Sequence, residues 1–240
     1  MDISSIPQRL GRIVTANGYS YQITPDDVLW LARSVHKEGR EPTYAPTIWT
    51  YFQRQAAYRR SSSLASLVLA HSQPVNPEWR RDGRFCRPGG QYNTSPKCAP
   101  ARLQERADNA IRSWGEIPPA VRTAVLEAVT AVLPNPVPRA TDFADQEVSQ
   151  GFLGRNPSAR LISKVVSSQC PRCNWYLAER VSRDWPENFV RIDFDGTVST
   201  SATPPALAIP SPTTSATLFG VLAFAGIAAG TYWFLEQRKK

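Results

Sequence analysis

The hydrophobic positions near the start of the chain recur at helical spacing. Thr24 offers a capping hydroxyl, Pro25 suits the first helical position, and acidic residues follow in the first turn. Apolar residues between Val28 and Val35 then form one face, and Gly39 suits a helix stop. This pattern predicts an amphipathic helix between Thr24 and Gly39.

Helical spacing predicts most of the other elements as well. Further helices are expected over residues 47–58, 63–70, 100–114 and 118–133, and less regular patterns predict helices over 158–167 and 175–183. Only residues 189–193 alternate like a strand. Because 21 prolines divide the chain into short elements, these patterns predict a mainly α domain with long Pro-rich loops.

The C-terminal pattern is different, since residues 216–235 form an uncharged apolar run of 20 residues. At about 1.5 Å per residue, such a helix would span a hydrocarbon core of roughly 30 Å. Tyr232 and Trp233 suit the membrane interface, and the basic tail 236–240 favours the internal side. We therefore expect one transmembrane helix, with the preceding domain on the outer side of the membrane.

The residues before this span divide the chain further. Residues 198–215 are uncharged and rich in Pro, Ser and Thr, which predicts an extended stalk between residues 1–197 and the lipid membrane. Within the span, Gly226 and Gly230 have the spacing that favours close helix approach, which is weakly indicative of a homodimer.

Charge and motifs narrow the classes of function. The 240-residue chain has 28 Lys+Arg against 20 Asp+Glu, a net charge of +8, which suits an anionic partner. Without a Lys/Arg run or an RNA-binding signature, no nucleic acid is expected. Because it has no phosphate-binding loop or dinucleotide fingerprint, we expect no cofactor. Its N-terminal residues lack the pattern of a signal peptide.

Glu38 is the residue that most suggests catalysis. It closes the predicted amphipathic helix, where the helix dipole and nearby apolar surface both disfavour a negative charge. Both effects raise the pKa of a carboxyl group, as a general acid requires near neutral pH. Taken alone, the same position also fits an ordinary solvated glutamate.

Three segments resemble a known family of cell-wall enzymes. LARSVHKEGREPTYAPTIWTYFQR at 31–54, HSQPVNPEW at 71–79 and ATDFA at 140–144 are similar, in order, to cell-wall hydrolases of the spore-cortex-lytic and phage transglycosylase type. The resemblance covers roughly residues 25–180. It departs where Gln53-Arg54 replaces the family's usual Asn-Arg, and the family's closing H-x-FY element is not clear.

This resemblance implies a lysozyme-like helical fold that cleaves the β-1,4 glycan of peptidoglycan, with Glu38 as the catalytic acid. A hydrolase would also need a second carboxylate or a positioned water, for which Glu41, Asp82 and Asp142 are candidates. A lytic transglycosylase needs neither, because the same glutamate acts first as acid and then as base. The sequence favours the transglycosylase and leaves hydrolysis open.

Other residues of the matching segments are candidate substrate contacts. Hydrogen bonds to the sugars are expected from Ser72, Gln73 and Asn76, ring stacking from Tyr44 or Trp79, and a position in the cleft for Asp142. The alternative for the 71–79 segment is a polar, Pro-fixed loop that caps a helix.

The four cysteines allow three states. Cys170 and Cys173 have the spacing of a metal knuckle, but Cys86 and Cys98 do not repeat it. A four-cysteine zinc site, disulfides such as Cys86–Cys98, and free thiols all remain open. No metal is assigned to the active site.

The expected function is a membrane-anchored peptidoglycan-cleaving enzyme of a phage virion, in a virion internal membrane or the host inner membrane. The alternative is a non-catalytic adaptor, anchored in the same way, that binds cell wall or capsid. A third hypothesis is a zinc-stapled basic module that binds nucleic acid.

Overall fold

Helices and two small sheets make up the part of the chain that the structure, a computed structural model, describes: residues 3–58, 61–76, 99–165, 174–178 and 190–194. All of these residues belong to one compact unit, Met1–Val198.

Six α-helices lie in the described ranges, with three short 3-10 turns between them. The helices are α1 (Pro25–Glu38), α2 (Tyr44–Tyr58), α3 (Leu64–His71), α4 (Pro100–Ile111), α5 (Pro119–Val129) and α6 (Gln146–Arg155). The turns are Glu41–Thr43, Gln73–Val75 and Trp114–Glu116. The first five helices confirm the predicted ones to within a few residues at each end, whereas α6 was not predicted.

Six short strands among the described residues form two antiparallel sheets. They are β1 (Arg12–Val14), β2 (Ser20–Gln22), β3 (Asp142–Ala144), β4 (Arg160–Lys164), β5 (Trp175–Ala178) and β6 (Arg191–Asp193). One sheet has the order β2-β1-β6 and the other the order β3-β5-β4. Strand β6 confirms the strand predicted over 189–193 where the structure describes these residues.

The helices predicted over 158–167 and 175–183 are wrong where the structure describes these residues, because both segments contain strands. All four residues of Trp175–Ala178 are buried, so they show no alternation. A short, fully buried strand has the same apolar pattern as a buried helix segment. The described part of the chain therefore contains helices and two sheets. The prediction of a mainly α domain was right about the first five helices and underestimated the amount of sheet.

The core lies among α1, α2, α3 and α5, with α1 in contact with the other three. Their apolar faces meet there through fully buried side chains, including Leu29, Leu31 and Val35 of α1, Ile48 and Phe52 of α2, Leu64 and Leu67 of α3, and Val121 and Val125 of α5. The helical spacing of these residues in the sequence thus reflects one shared core.

A buried carboxylate fixes the beginning of α1. Thr24 caps the helix in a reciprocal capping box with Asp27. Oδ2 of Asp27 accepts hydrogen bonds from Tyr21 Oη at 2.8 Å and from the Thr24 amide and hydroxyl at 2.9 and 2.8 Å. Oδ1 accepts one from the amide of Ala65 at 2.8 Å. Asp27 therefore joins the start of α1 to β2 and to the start of α3.

Within the described ranges, no helix is both long enough and apolar enough to cross a membrane. The predicted span 216–235, the stalk 198–215 and the tail 236–240 lie outside those ranges.

We expect Asp27→Ala to lower the free energy of unfolding by about 3 kcal/mol, because it leaves the buried amide of Ala65 and the half-buried hydroxyl of Tyr21 without this acceptor. The matched control is Asp26→Ala, which removes an exposed carboxylate from the same helical turn and should cost far less. Urea unfolding of both variants measures the difference. Equal losses would show that the Asp27 hydrogen bonds do not hold the helices together.

Candidate active site

Glu38 is the last residue of α1, and the next residue lets the chain pack tightly against it. A Cβ on Gly39 would lie 2.9 Å from Cδ1 of Tyr44 and 3.0 Å from the carbonyl oxygen of Val35. Gly39 has an extended backbone, so it is needed here for close approach rather than for an unusual dihedral angle. The Tyr44 ring therefore lies directly against the residue that follows Glu38.

The side chain of Glu38 meets the end of α3. Ser72, which follows α3, donates a hydrogen bond from Oγ to Oε1 of Glu38 at 3.1 Å. Ser34, one turn earlier on α1, donates to Ser72 Oγ at 2.9 Å and lies 2.9 Å from the hydroxyl of Tyr51. Glu38 thus faces a cluster of three buried hydroxyl groups contributed by α1, α2 and the residue after α3.

A second carboxylate, Asp142, approaches from β3. Its Oδ2 lies 3.4 Å from Nη2 of Arg54, and its Oδ1 accepts a hydrogen bond from the amide of Phe143 at 2.9 Å. Strand β3 is held in place by its pairing with β5. The β3-β5-β4 sheet therefore places Asp142 near the helix end that carries Glu38.

Gln53 holds the loop that leads into β3. Its buried side-chain amide donates to the carbonyl oxygens of Val137 and Ala140, both at 3.0 Å. Its carbonyl oxygen accepts from the amide of Arg139, a residue in the left-handed region with a φ of 75°. Gln53 thus shapes the loop before β3, and the adjacent Arg54 pairs with Asp142.

The pKa of Glu38 is raised to about 7. Burial is the main cause, since it disfavours the charged form. The hydrogen bond from Ser72 lowers the pKa, and the negative charge of Asp142 raises it further. Because the residue as a whole is only half-buried, the site combines a carboxyl group protonated near neutral pH with some access from solvent.

The structure brings together part of the predicted set. Ser72 contacts Glu38, the charge of Asp142 acts on it, and Tyr44 packs against the neighbouring Gly39. Gln73 follows Ser72 in the Gln73–Val75 turn and is half-buried. Asn76 donates from Nδ2 to the carbonyl oxygen of Leu69 at 2.9 Å, which ties the turn to α3. This last bond matches the loop-capping alternative.

One other candidate that the structure describes does not join this cluster. Glu41 is exposed at the start of the Glu41–Thr43 turn. The remaining ones lie outside the described residues: Trp79, Asp82, Cys86, Cys98, Cys170 and Cys173. Within the described ranges no group of three or more His, Cys, Asp or Glu is placed to hold a metal ion.

Sequence reasoning missed Ser34, Tyr51 and the pairing role of Arg54. A signal for Ser34 was present, because it precedes Glu38 by four residues and so lies on the same helix face. Tyr51 carried no such signal, since its place beside Ser34 depends on how α2 packs against α1.

Comparisons of the chain with protein-family models, with curated proteins and with solved structures found no match.

We expect Glu38→Gln to stabilise the folded protein at neutral pH. The pKa of Glu38 is about 7 when folded and about 4.5 when unfolded, so the native state binds more protons in this window. The unfolding free energy of the wild type therefore falls, relative to the variant, as pH rises from about 4.5 to 7, by up to about 3 kcal/mol.

Urea unfolding of both proteins at several pH values measures this difference. Glu147→Gln, which removes an exposed carboxylate in the first turn of α6, is the matched control for the loss of a glutamate charge. A difference between wild type and Glu38→Gln that stays constant from pH 4.5 to 7 would contradict the raised pKa.

Proposed function

We propose that this protein is a membrane-anchored, lysozyme-like enzyme that cleaves peptidoglycan, with Glu38 as its catalytic acid. The observation that carries the proposal is the environment of Glu38, a carboxyl group at a helix end whose burial raises its pKa to about 7. Such a group holds a proton at neutral pH and can deliver it to a leaving oxygen. The ordered resemblance of three segments to cell-wall hydrolases supports the choice of substrate.

Within this proposal the reaction is that of a lytic transglycosylase. Glu38 donates its proton to the oxygen between the muramyl and glucosaminyl sugars, and the bond from muramyl C1 to that oxygen breaks. The resulting carboxylate then takes the proton of the muramyl C6 hydroxyl while O6 bonds to C1. The products are a new free hydroxyl end and a 1,6-anhydro ring, and Glu38 is protonated again.

The surroundings of Asp142 support this reaction over hydrolysis. A hydrolase needs a carboxylate that is available to activate water or to attack the sugar. One oxygen of Asp142 faces Arg54 and the other accepts the amide of Phe143, so both already have partners. In our proposal Asp142 acts electrostatically, by keeping Glu38 protonated.

Substrate contacts are assigned to the residues that flank Glu38. Ser72 holds the carboxyl group itself, and the side chain of Asn76 is bonded to Leu69. Tyr44, packed against Gly39, is the proposed stacking surface for a sugar ring, and Gln73 the proposed polar contact.

The proposed cellular setting is a phage virion, with the enzyme tethered by residues 216–235 to a virion internal membrane or the host inner membrane. Residues 198–215 would act as a stalk that lets the domain reach the wall outside the membrane. The length and lack of charge of residues 216–235 support this arrangement.

The full-length protein is expected to release anhydro-muramyl products from purified peptidoglycan. Glu38→Gln should reduce release by at least about a thousandfold, because general acid catalysis and the following proton abstraction both disappear. Mass spectrometry of the released muropeptides measures both product type and yield. Activity of the wild type should fall as pH rises through about 7, where Glu38 loses its proton.

The matched control is Glu147→Gln, which should keep wild-type activity. Products with a reducing end would instead identify a hydrolase. No release from several wall types by the folded wild-type protein would overturn the enzymatic proposal and favour the non-catalytic adaptor.

The variant Asp142→Asn distinguishes the lytic transglycosylase reaction from hydrolysis. If Asp142 acts only through its charge, the variant retains activity within about tenfold at acidic pH. Its activity should then fall at a lower pH than in the wild type, because removing a nearby negative charge lowers the pKa of Glu38.

A loss of activity at every pH, with folding retained in a thermal melt, would instead assign Asp142 the role of the second carboxylate of a hydrolase.

A further inference from the structure

The hydroxyl groups of Tyr51, Ser34 and Ser72 form a hydrogen-bonded series that leads from the core to Glu38. We call this series the hydroxyl chain. Tyr51 Oη lies 2.9 Å from Ser34 Oγ, and Ser34 Oγ lies 2.9 Å from Ser72 Oγ. Ser72 Oγ in turn lies 3.1 Å from Oε1 of Glu38. All three residues are at most 1% exposed, so bulk water does not compete for these bonds.

The direction of the hydroxyl chain is fixed when Glu38 is ionised. A hydroxyl group has one proton to donate, and a carboxylate oxygen only accepts. Ser72 donates its one hydrogen bond to Glu38, so it must accept the hydrogen bond from Ser34. Ser34 in turn must accept from Tyr51, which is the first donor of the chain. Every O–H dipole in the chain then points toward the negative charge.

We propose that Ser34 and Tyr51 are positioning residues that stabilise the ionised form of Glu38 through Ser72, during the interval between its two proton transfers. This inference rests on the proposed transglycosylase reaction, in which Glu38 is charged after it has protonated the leaving oxygen. No proton travels along the hydroxyl chain. Each hydroxyl keeps its own proton, and Glu38 recovers its proton from the muramyl C6 hydroxyl.

Aligned hydrogen bonds polarise one another, so the outer hydroxyls strengthen the bond that Ser72 makes. Tyr51 suits the outermost position because burial, together with the charge of Glu38, raises its pKa above the usual range. Tyr51 therefore remains a donor throughout the working pH range of the site. The hydroxyl chain opposes the effect of burial, which favours the protonated acid.

The titratable and charged groups on the elements around Glu38 include His36 and Lys37 on α1, Tyr51 and Arg54 on α2, His71 on α3, and Asp142 on β3. Helix α1 also carries Asp26, Asp27 and Arg33, and α2 also carries Tyr44 and Tyr58. Lys37 lies 3.5 Å from Glu105, and Arg54 lies 3.4 Å from Asp142. Asp142 disfavours the charge on Glu38. The ionised acid is thus supported by hydroxyl dipoles and opposed by a neighbouring carboxylate.

Tyr51→Phe and Ser34→Ala each delete a single oxygen atom from the hydroxyl chain. In both variants we expect the pKa of Glu38 to rise by about half a unit, and kcat to fall roughly threefold with KM unchanged. Carboxyl NMR titration of the full-length protein, with ¹³C-labelled glutamate, reports the pKa. Muropeptide release at several pH values reports kcat and KM.

The matched control is Tyr176→Phe. The Tyr176 hydroxyl is also buried and is bonded to Thr47 Oγ1 at 3.2 Å and to the carbonyl oxygen of Thr43 at 3.4 Å. Because the Tyr176 hydroxyl is not part of the hydroxyl chain, its removal should leave both the pKa of Glu38 and kcat unchanged. If Tyr51→Phe does not fold, Ser34→Ala provides the same test.

An unchanged pKa of Glu38 in the chain variants would overturn the inference, and so would an equal change in Tyr176→Phe. The NMR measurement does not require activity. Absence of muropeptide release from the wild type would therefore overturn the proposed reaction, whereas the pKa values separately decide whether the hydroxyl chain stabilises Glu38.

Discussion

The relative placement of α1 and α3 depends on buried hydrogen bonds at both ends of the pair. At the start of both helices, Asp27 accepts the amide of Ala65. At the other end, Ser72 bonds to Ser34 and to Glu38. Asp27 and Glu38 are eleven residues apart on α1, about 16 Å along the helix. A shift of one helix along the other would therefore break the hydrogen bonds at both ends. The rest of the site depends on this register.

Two of the carboxyl groups on α1, Asp27 and Glu38, have different surroundings and different numbers of hydrogen-bond donors around them. Asp27 accepts four hydrogen bonds from Tyr21, Thr24 and Ala65. Glu38 accepts one side-chain hydrogen bond in the described part of the chain. Its burial, together with the nearby carboxylate of Asp142, raises its pKa to about 7. One carboxyl therefore suits a structural role and the other proton transfer.

The β3-β5-β4 sheet completes the surroundings of Glu38, and the sequence concealed it. Strand β5 is buried over its whole length, so its pattern fits a helix as well as a strand. The prediction of a helix over 175–183 failed for this reason. For the same reason the sequence did not predict that Asp142 lies beside Arg54. The contact of Gln53 with the loop before β3 was hidden as well, because the carbonyl oxygens of Val137 and Ala140 lie more than eighty residues away in the sequence.

The sequence alone determined the elements whose causes are local. Thr24, Pro25 and Asp27 define the start of α1, and Gly39 defines its end, so these local signals suffice to place Glu38 at a helix terminus. Only the tertiary structure decided what surrounds that carboxyl group. Ser72, Tyr51 and Asp142 come from separate segments, and their approach to Glu38 depends on helix packing and sheet register, which local patterns do not encode.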